Sequence, residues 1–258
     1  MISPWSLDFS YKYYEQLLHI VKEIYTPYLF RDAKRLIVEN TDRPALLLRH
    51  DIDLDVDKAL SLAEIESKIG IFSCYMFMSD CPFYSLNEKH TQRVILKIKE
   101  MGHEIGLHYD SNSQLKKVTS NQDFFRESIE HEAKKLESII ECRVESISFH
   151  RPIKKYINGP FYIGDRINAY SKELMGWYLS DSKGNWRDGD PMLRIKSPQG
   201  PILQLLTHPI WWGERHLIVP EKLQEFFDNK TKGLSEIDIG IFDNELSKHL
   251  TVVRGGKK

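Results

Sequence analysis

From Ala45 onward the chain changes rhythm at nearly regular intervals, and this alternation restricts its fold more than any other feature. Ala45 to Leu48 is a short continuous apolar run that ends in the polar cluster RHDIDLD. Asp55 to Ile69 then places apolar residues at helical spacing and stops at Gly70. The unit recurs: IFSCYMFM reads as a strand, Glu88 to Met101 as a helix closed by Gly102, HEIGLHY as a strand, Phe124 to Ile140 as a helix, and VESISFH as a fourth strand. Strands alternating with helices imply parallel pairing through right-handed crossovers, hence an α/β sheet, either a barrel or a doubly wound layer. PILQLLTHP supplies a further buried strand.

The flanks are read more coarsely. Leu17, Leu18, Val21, Ile24 and Tyr25 predict an opening amphipathic helix over Tyr11 to Tyr28, so that residues 1–43 form a helical extension. Residues 153–200 are richer in Gly, Pro, Asn and Asp, with short apolar pieces such as GWYLS, and predict long loops over one end of the sheet. A helix over Pro220 to Asp228 precedes a tail ending in RGGKK that is expected to fray. The length of 258 residues fits one α/β domain spanning the chain. With 36 basic against 37 acidic residues there is no global field to gather nucleic acid or an anionic membrane. Cys74, Cys81 and Cys142 lack zinc-finger spacing, and their odd number argues against a disulfide framework. No signal peptide or long apolar window is read, so the expectation is a cytoplasmic protein without integral membrane association.

Polar residues cluster where the predicted strands end. His50, Asp51 and Asp53 follow ALLLR, His108 and Asp110 follow EIGL, His150 and Arg151 follow SISF, and His208 follows LQLLT. In parallel α/β folds that end of the sheet is where loops converge on an active site. An isolated histidine there is more often a hydrogen-bonded loop residue than a ligand, but four independent strand ends weaken that explanation. Asp51 and Asp53, one residue apart on an extended segment, share a face, and two such charges call for a cation between them. A metal on one carboxylate leaves the other as a base beside an activated water. The alternative is a solvated acidic run in which Asp53 or Asp55 caps the next helix; Asp55 and Asp57 are assigned capping and helix-dipole roles. His108 is a suitable metal ligand. The third ligand is open among Asn112, Asp110 and His150, with His150 the best donor and Asn112 a poor one. His103, at the start of its strand, reads as structural. His208, followed by Trp211 and Trp212, fits a general acid beside aromatic rings that stack on a sugar, and equally a buried histidine among core tryptophans.

RHDID, GHEIGLHYDSN, FHRP, DSKGNW and LLTHP, in this order from about Leu46 to His208, resemble the five motifs of the polysaccharide deacetylases, carbohydrate esterase family 4. The resemblance implies a distorted, seven-stranded (β/α) barrel, a divalent metal, usually zinc, and hydrolysis of an N-acetyl group from an amino sugar. On it, Asp51 resembles the catalytic base, Asp53 and His108 resemble metal ligands, Arg151 with Pro152 resembles the motif whose arginine holds the base, and His208 resembles the general acid. His150, Arg151 and Trp211 are the candidate substrate-binding or orienting residues. Asp181 and Trp186 resemble the fourth motif with one residue too many between them, and Asn112 stands where a second metal histidine would be. The form of RHDID and GHEIGLHYD is most similar to deacetylase-like proteins of surface-polysaccharide or O-antigen assembly, which implies a nucleotide- or lipid-linked sugar as substrate. Two alternatives remain: hydrolysis of another C–N bond, in a cyclic amide, ureide or formamide, and a carbohydrate-binding barrel impaired by Asn112. A groove lined by Trp211, Trp212 and Tyr109 would favour a sugar, and a small closed pocket a compact ring.

Overall fold

The computed structural model of the chain describes residues 8–38, 42–111 and 121–253. Its strands are β1 (Thr26–Tyr28), β2 (Ala45–Ile52), β3 (Cys74–Phe77), β4 (Glu104–Tyr109), β5 (Ser146–Phe149), β6 (Tyr162–Ile163), β7 (Arg166–Asn168), β8 (Trp177–Ser180) and β9 (Ile202–Thr207). They form one sheet in the order β6-β7-β5-β4-β3-β2-β9-β8, with β1 also paired to β2. Every pairing is parallel except that of β6 with β7. The α/β expectation therefore holds, and the run from β7 to β8 contains seven parallel strands.

Two short strands bring the sheet to nine, and each has a local cause. The opening helix ends at Ile24, short of Tyr28, because Pro27 disfavours helical geometry at Thr26. The released residues pair with the start of β2, Thr26 opposite Ala45. Gly164, at φ 59, turns the chain back between β6 and β7. GWYLS, expected within loops, supplies β8 along β9, with Trp177 opposite Leu203. Residues 153–200 thus hold three strands and a short helix, Pro191–Ile195, rather than loops alone. The tail is helical over Glu236–Val253, and residues 254–258 lie outside the described ones.

Among the described residues no pairing joins β8 to β6, so the sheet is open. It is nonetheless curled. Gln204 of β9 donates to the carbonyls of Ala169 and Leu174 just beyond β7, and Arg49 of β2 donates to the hydroxyl of Tyr170. Side chains thereby span an interior that backbone pairing does not close.

The period-two alternation of a strand sorts β2 into two sets. Ala45, Leu47, Arg49 and Asp51 face the interior with Cys74 and Met76, whereas Leu46, Leu48 and Ile52 pack beneath the helices. Gly106 is the inward residue of β4, where a Cβ would stand 2.2 Å from the Met76 sulfur and 2.9 Å from the Ser146 hydroxyl. The outer helices follow their caps: Asp55 accepts from the backbone N–H groups of Asp57 and Lys58 to start Val56–Ile69, and Gly70 at φ 77 ends it. The capping role read for Asp55 is the observed one.

His50 lies in the outward set, which corrects its expected place among the convergent strand-end residues. Its Nδ1 is 2.7 Å from Thr207 Oγ1 and its Nε2 is 2.8 Å from Glu66 Oε1. His103 meets the same layer, accepting from Ser73 N and bonding the carbonyl of Ala63, in keeping with a structural role. Burial opposes ionisation of Glu66, but His50 and its other partners outweigh it and hold the carboxyl below its ordinary value. No helix among the described residues is long and apolar enough to cross a membrane.

Candidate active site

At the C-terminal ends of β2, β4 and β5 the chain brings Asp53, His108 and His150 together. One ligand atom from each lies within 4.8 Å of the others. His108 Nε2 is 3.1 Å, and His150 Nδ1 3.0 Å, from the same Asp53 oxygen, Oδ1. Burial works against the Asp53 charge, yet the imidazoles of His150 and His108 outweigh it and hold the carboxyl well below the usual carboxylate range. His150 is correspondingly raised, the attraction of Asp53 overcoming desolvation.

The hydrogen bonds around His108 assign its tautomer. Ser148 donates to Asp51 Oδ1 at 3.2 Å, so its oxygen is left to accept from Nδ1–H of His108 at 2.7 Å. The Nε2 lone pair then faces a carboxylate oxygen, an arrangement that requires a proton or a cation between them. One carboxylate and two imidazoles, with the outer nitrogen of one ring already bonded, fit a first-row divalent cation such as zinc. Of the three candidates for a third ligand, His150 is the one that groups with Asp53 and His108 among the described residues. Asp110 instead stands 3.6 Å from Arg151, and Asn112 lies outside the described residues.

Asp51, two residues before Asp53, points into the same interior but has different partners. Arg49 Nη2 donates to its Oδ2 at 3.2 Å, and Arg49 Nε lies 3.1 Å from its Oδ1. The guanidinium is fully buried and is fixed in turn by Gln204 Oε1 at 2.9 Å and the Tyr170 hydroxyl at 3.0 Å. The arginine that holds this carboxylate is therefore Arg49, not Arg151 as the motif resemblance implied. The cause is the strand itself, since residues i and i+2 share a face. Arg151 is about a third exposed, pairs with Asp110, and stands at the mouth of the cavity.

His208 approaches from β9 on the other side. Its Nδ1 is 2.6 Å from Asp181 Oδ1, and the same carboxylate accepts from the His208 backbone N–H and from Trp212 Nε1 at 2.9 Å. Desolvation disfavours the imidazolium, but Asp181 prevails and His208 is pushed up to about 9. With Nδ1 engaged, Nε2 is the nitrogen available to the cavity. A histidine raised in the folded state contributes stability that is whole below its unfolded value near 6.5 and is lost as pH rises through about 9. The expected loss, read by urea unfolding between about pH 7 and pH 9.5, is on the order of 2 kcal/mol. His208→Gln should flatten that slope, and an unchanged slope would contradict the pairing.

Asp51, Asp53, His108, His150 and His208 line one cavity of about 730 Å³, together with Phe149, Tyr178 and Trp211. Trp212, by contrast, is fully buried against Phe9 and Tyr14 and serves Asp181. Trp186 also packs on Phe9, and Tyr109 bonds Ser128 beneath the helices, so neither Trp212 nor Tyr109 lines the groove as a sugar platform. Sequence reasoning missed Arg49, Ser148, Gln204 and Tyr170. A strand-face reading of RHDID would have found the first.

No protein-family model matches the sequence, and no curated protein matches it. Among solved structures, the chain is similar to the crystal structure of a mutant of a carbohydrate esterase family 4 pseudoenzyme with restored enzymatic activity. The identity is 16% and the TM-score 0.43, over 75% of this chain and 64% of that one. The chain thus spans less than two thirds of that protein's length.

Proposed function

We propose that the protein is a metal-dependent hydrolase that removes the N-acetyl group of an amino sugar. The observation that carries this reading is the convergence of three devices on one cavity: the Asp53, His108 and His150 ligand set, Asp51 held by Arg49, and His208 held by Asp181. Asp53, His108 Nε2 and His150 Nδ1 would hold the divalent cation, zinc being the best fit to the donors. When bound, the cation supplies Lewis acidity to the acetamide oxygen and acidity to a neighbouring water. Asp51, kept in place by Arg49 and Ser148, accepts the proton of the attacking water. His208, protonated through Asp181, delivers its proton from Nε2 to the departing amine.

Of the three aromatic residues expected to line a sugar groove only Trp211 lines the cavity, and the preference for a sugar over a compact ring amide rests on it and on the motif resemblance. The setting of surface-polysaccharide assembly rests on the motif resemblance, and a cytoplasmic site of action and a single domain belong to the same reading on the sequence grounds given above. The test is acetate release from N-acetylated amino sugars by purified protein. The expected result is activity abolished by chelator and restored by zinc; activity indifferent to both would refute the metal-dependent reading.

A further inference from the structure

The catalytic devices occupy the floor of the cavity, and its rim has a different character. Beyond β8 the chain turns through Ser182, Lys183 and Gly184, with Lys183 at φ 65, and runs on to Arg187 and Asp188. Lys183, Arg187 and Asp188 all line the cavity, as does Arg151 from the end of β5. The charged groups on the floor already have close partners: Asp51 in Arg49, Asp53 in His108 and His150, and His208 in Asp181. On the rim, Arg151 has Asp110 at 3.6 Å. Lys183 and Arg187 are exposed and make no hydrogen bond or ion pair among the described residues, and Asp188 is the one exposed carboxylate among the residues lining the cavity. The mouth therefore carries an excess of positive charge on a chain whose net charge is -1.

We propose that Lys183 and Arg187 form an anion subsite at the mouth of this cavity, and that the amino sugar acted upon carries a phosphate ester or a carboxylate. A flexible ammonium and a planar guanidinium four residues apart can close on one multivalent anion, the guanidinium in bidentate fashion. Walls of low polarity around the mouth, among them Pro152, Ile157 and Trp211, strengthen the attraction relative to open water. The substrate part of this inference rests on the deacetylase reading, whereas the anion subsite does not.

The probes are inorganic pyrophosphate and malonate, each titrated calorimetrically into the full chain and into the double variant Lys183→Asn, Arg187→Gln. Asparagine tolerates the left-handed backbone of position 183, and both side chains are exposed, so the fold is retained. The expected result is saturable binding of at least one anion, weakened by added salt and weakened about tenfold or more in the double variant. Tighter pyrophosphate points to a phosphate ester, and tighter malonate to a carboxylate. Binding of neither anion, or equal binding by the variant, overturns the proposal. An anion held instead by a cation at Asp53, His108 and His150 would survive the substitutions and so counts against the subsite. Failure of the deacetylase reading is seen separately, as absence of acetate release, and leaves the titration result standing.

Discussion

Asp51→Asn is expected to lower the rate of acetate release by about 10²–10⁴-fold, the range associated with loss of a positioned acid or base. Asparagine keeps one oxygen, enough for Ser148 and Arg49 Nε at Oδ1, but turns an NH2 toward Arg49 Nη2, leaves that guanidinium without a counter-charge and cannot take a proton from water. The measurement is kcat on a fixed N-acetylated sugar, with a thermal melt of the same sample to verify folding. Equal activity of the variant and the parent would remove Asp51 from the mechanism.

Arg49→Met is expected to act chiefly through stability. Arg49 is fully buried, and truncating it leaves the Asp51 carboxylate in the interior without its cation, with Gln204 and the Tyr170 hydroxyl each short of a partner. Breaking a buried pair of this kind costs about 3–5 kcal/mol. For a chain of this size that corresponds to a fall in Tm of about 10 °C. Arg151→Met should change stability by less than about 1 kcal/mol, because its pair with Asp110 is longer and reaches solvent. Similar losses in the two variants would mean that Arg49 is not the residue on which Asp51 depends.

The parallel core of the fold was legible because its strands are continuous apolar runs and its helices carry a clear stripe and a stop at Gly70 or Gly102. What escaped were pieces too short for a period: Thr26–Tyr28, hidden behind an apolar helix, and Tyr162–Ile163 with Arg166–Asn168, whose pairing depends on a turn. The convergence of Asp53, His108 and His150 could be anticipated from their places at strand ends, because pleating and parallel register carry side chains to a common rim. His50 shows where that logic stops. Adjacent to Asp51, it points to the opposite face and joins Glu66 and Thr207 beneath the helices. Arg49 shows the converse, a polar residue inside an apolar run whose partner is its i+2 neighbour. Lys183 and Arg187 carry no sequence signal of their own, since only the path of the chain beyond β8 brings them to the cavity.

Asp53, His108 and His150 are expected to hold a divalent cation, with His150 as the third ligand. Zinc binding by competition calorimetry in the parent chain, His150→Ala and Asn112→Ala tests it directly. The expected result is one zinc per parent chain, an affinity lower by at least about 100-fold in His150→Ala, and no change in Asn112→Ala. Zinc held as tightly by His150→Ala as by the parent, or no zinc held by the parent, would contradict it.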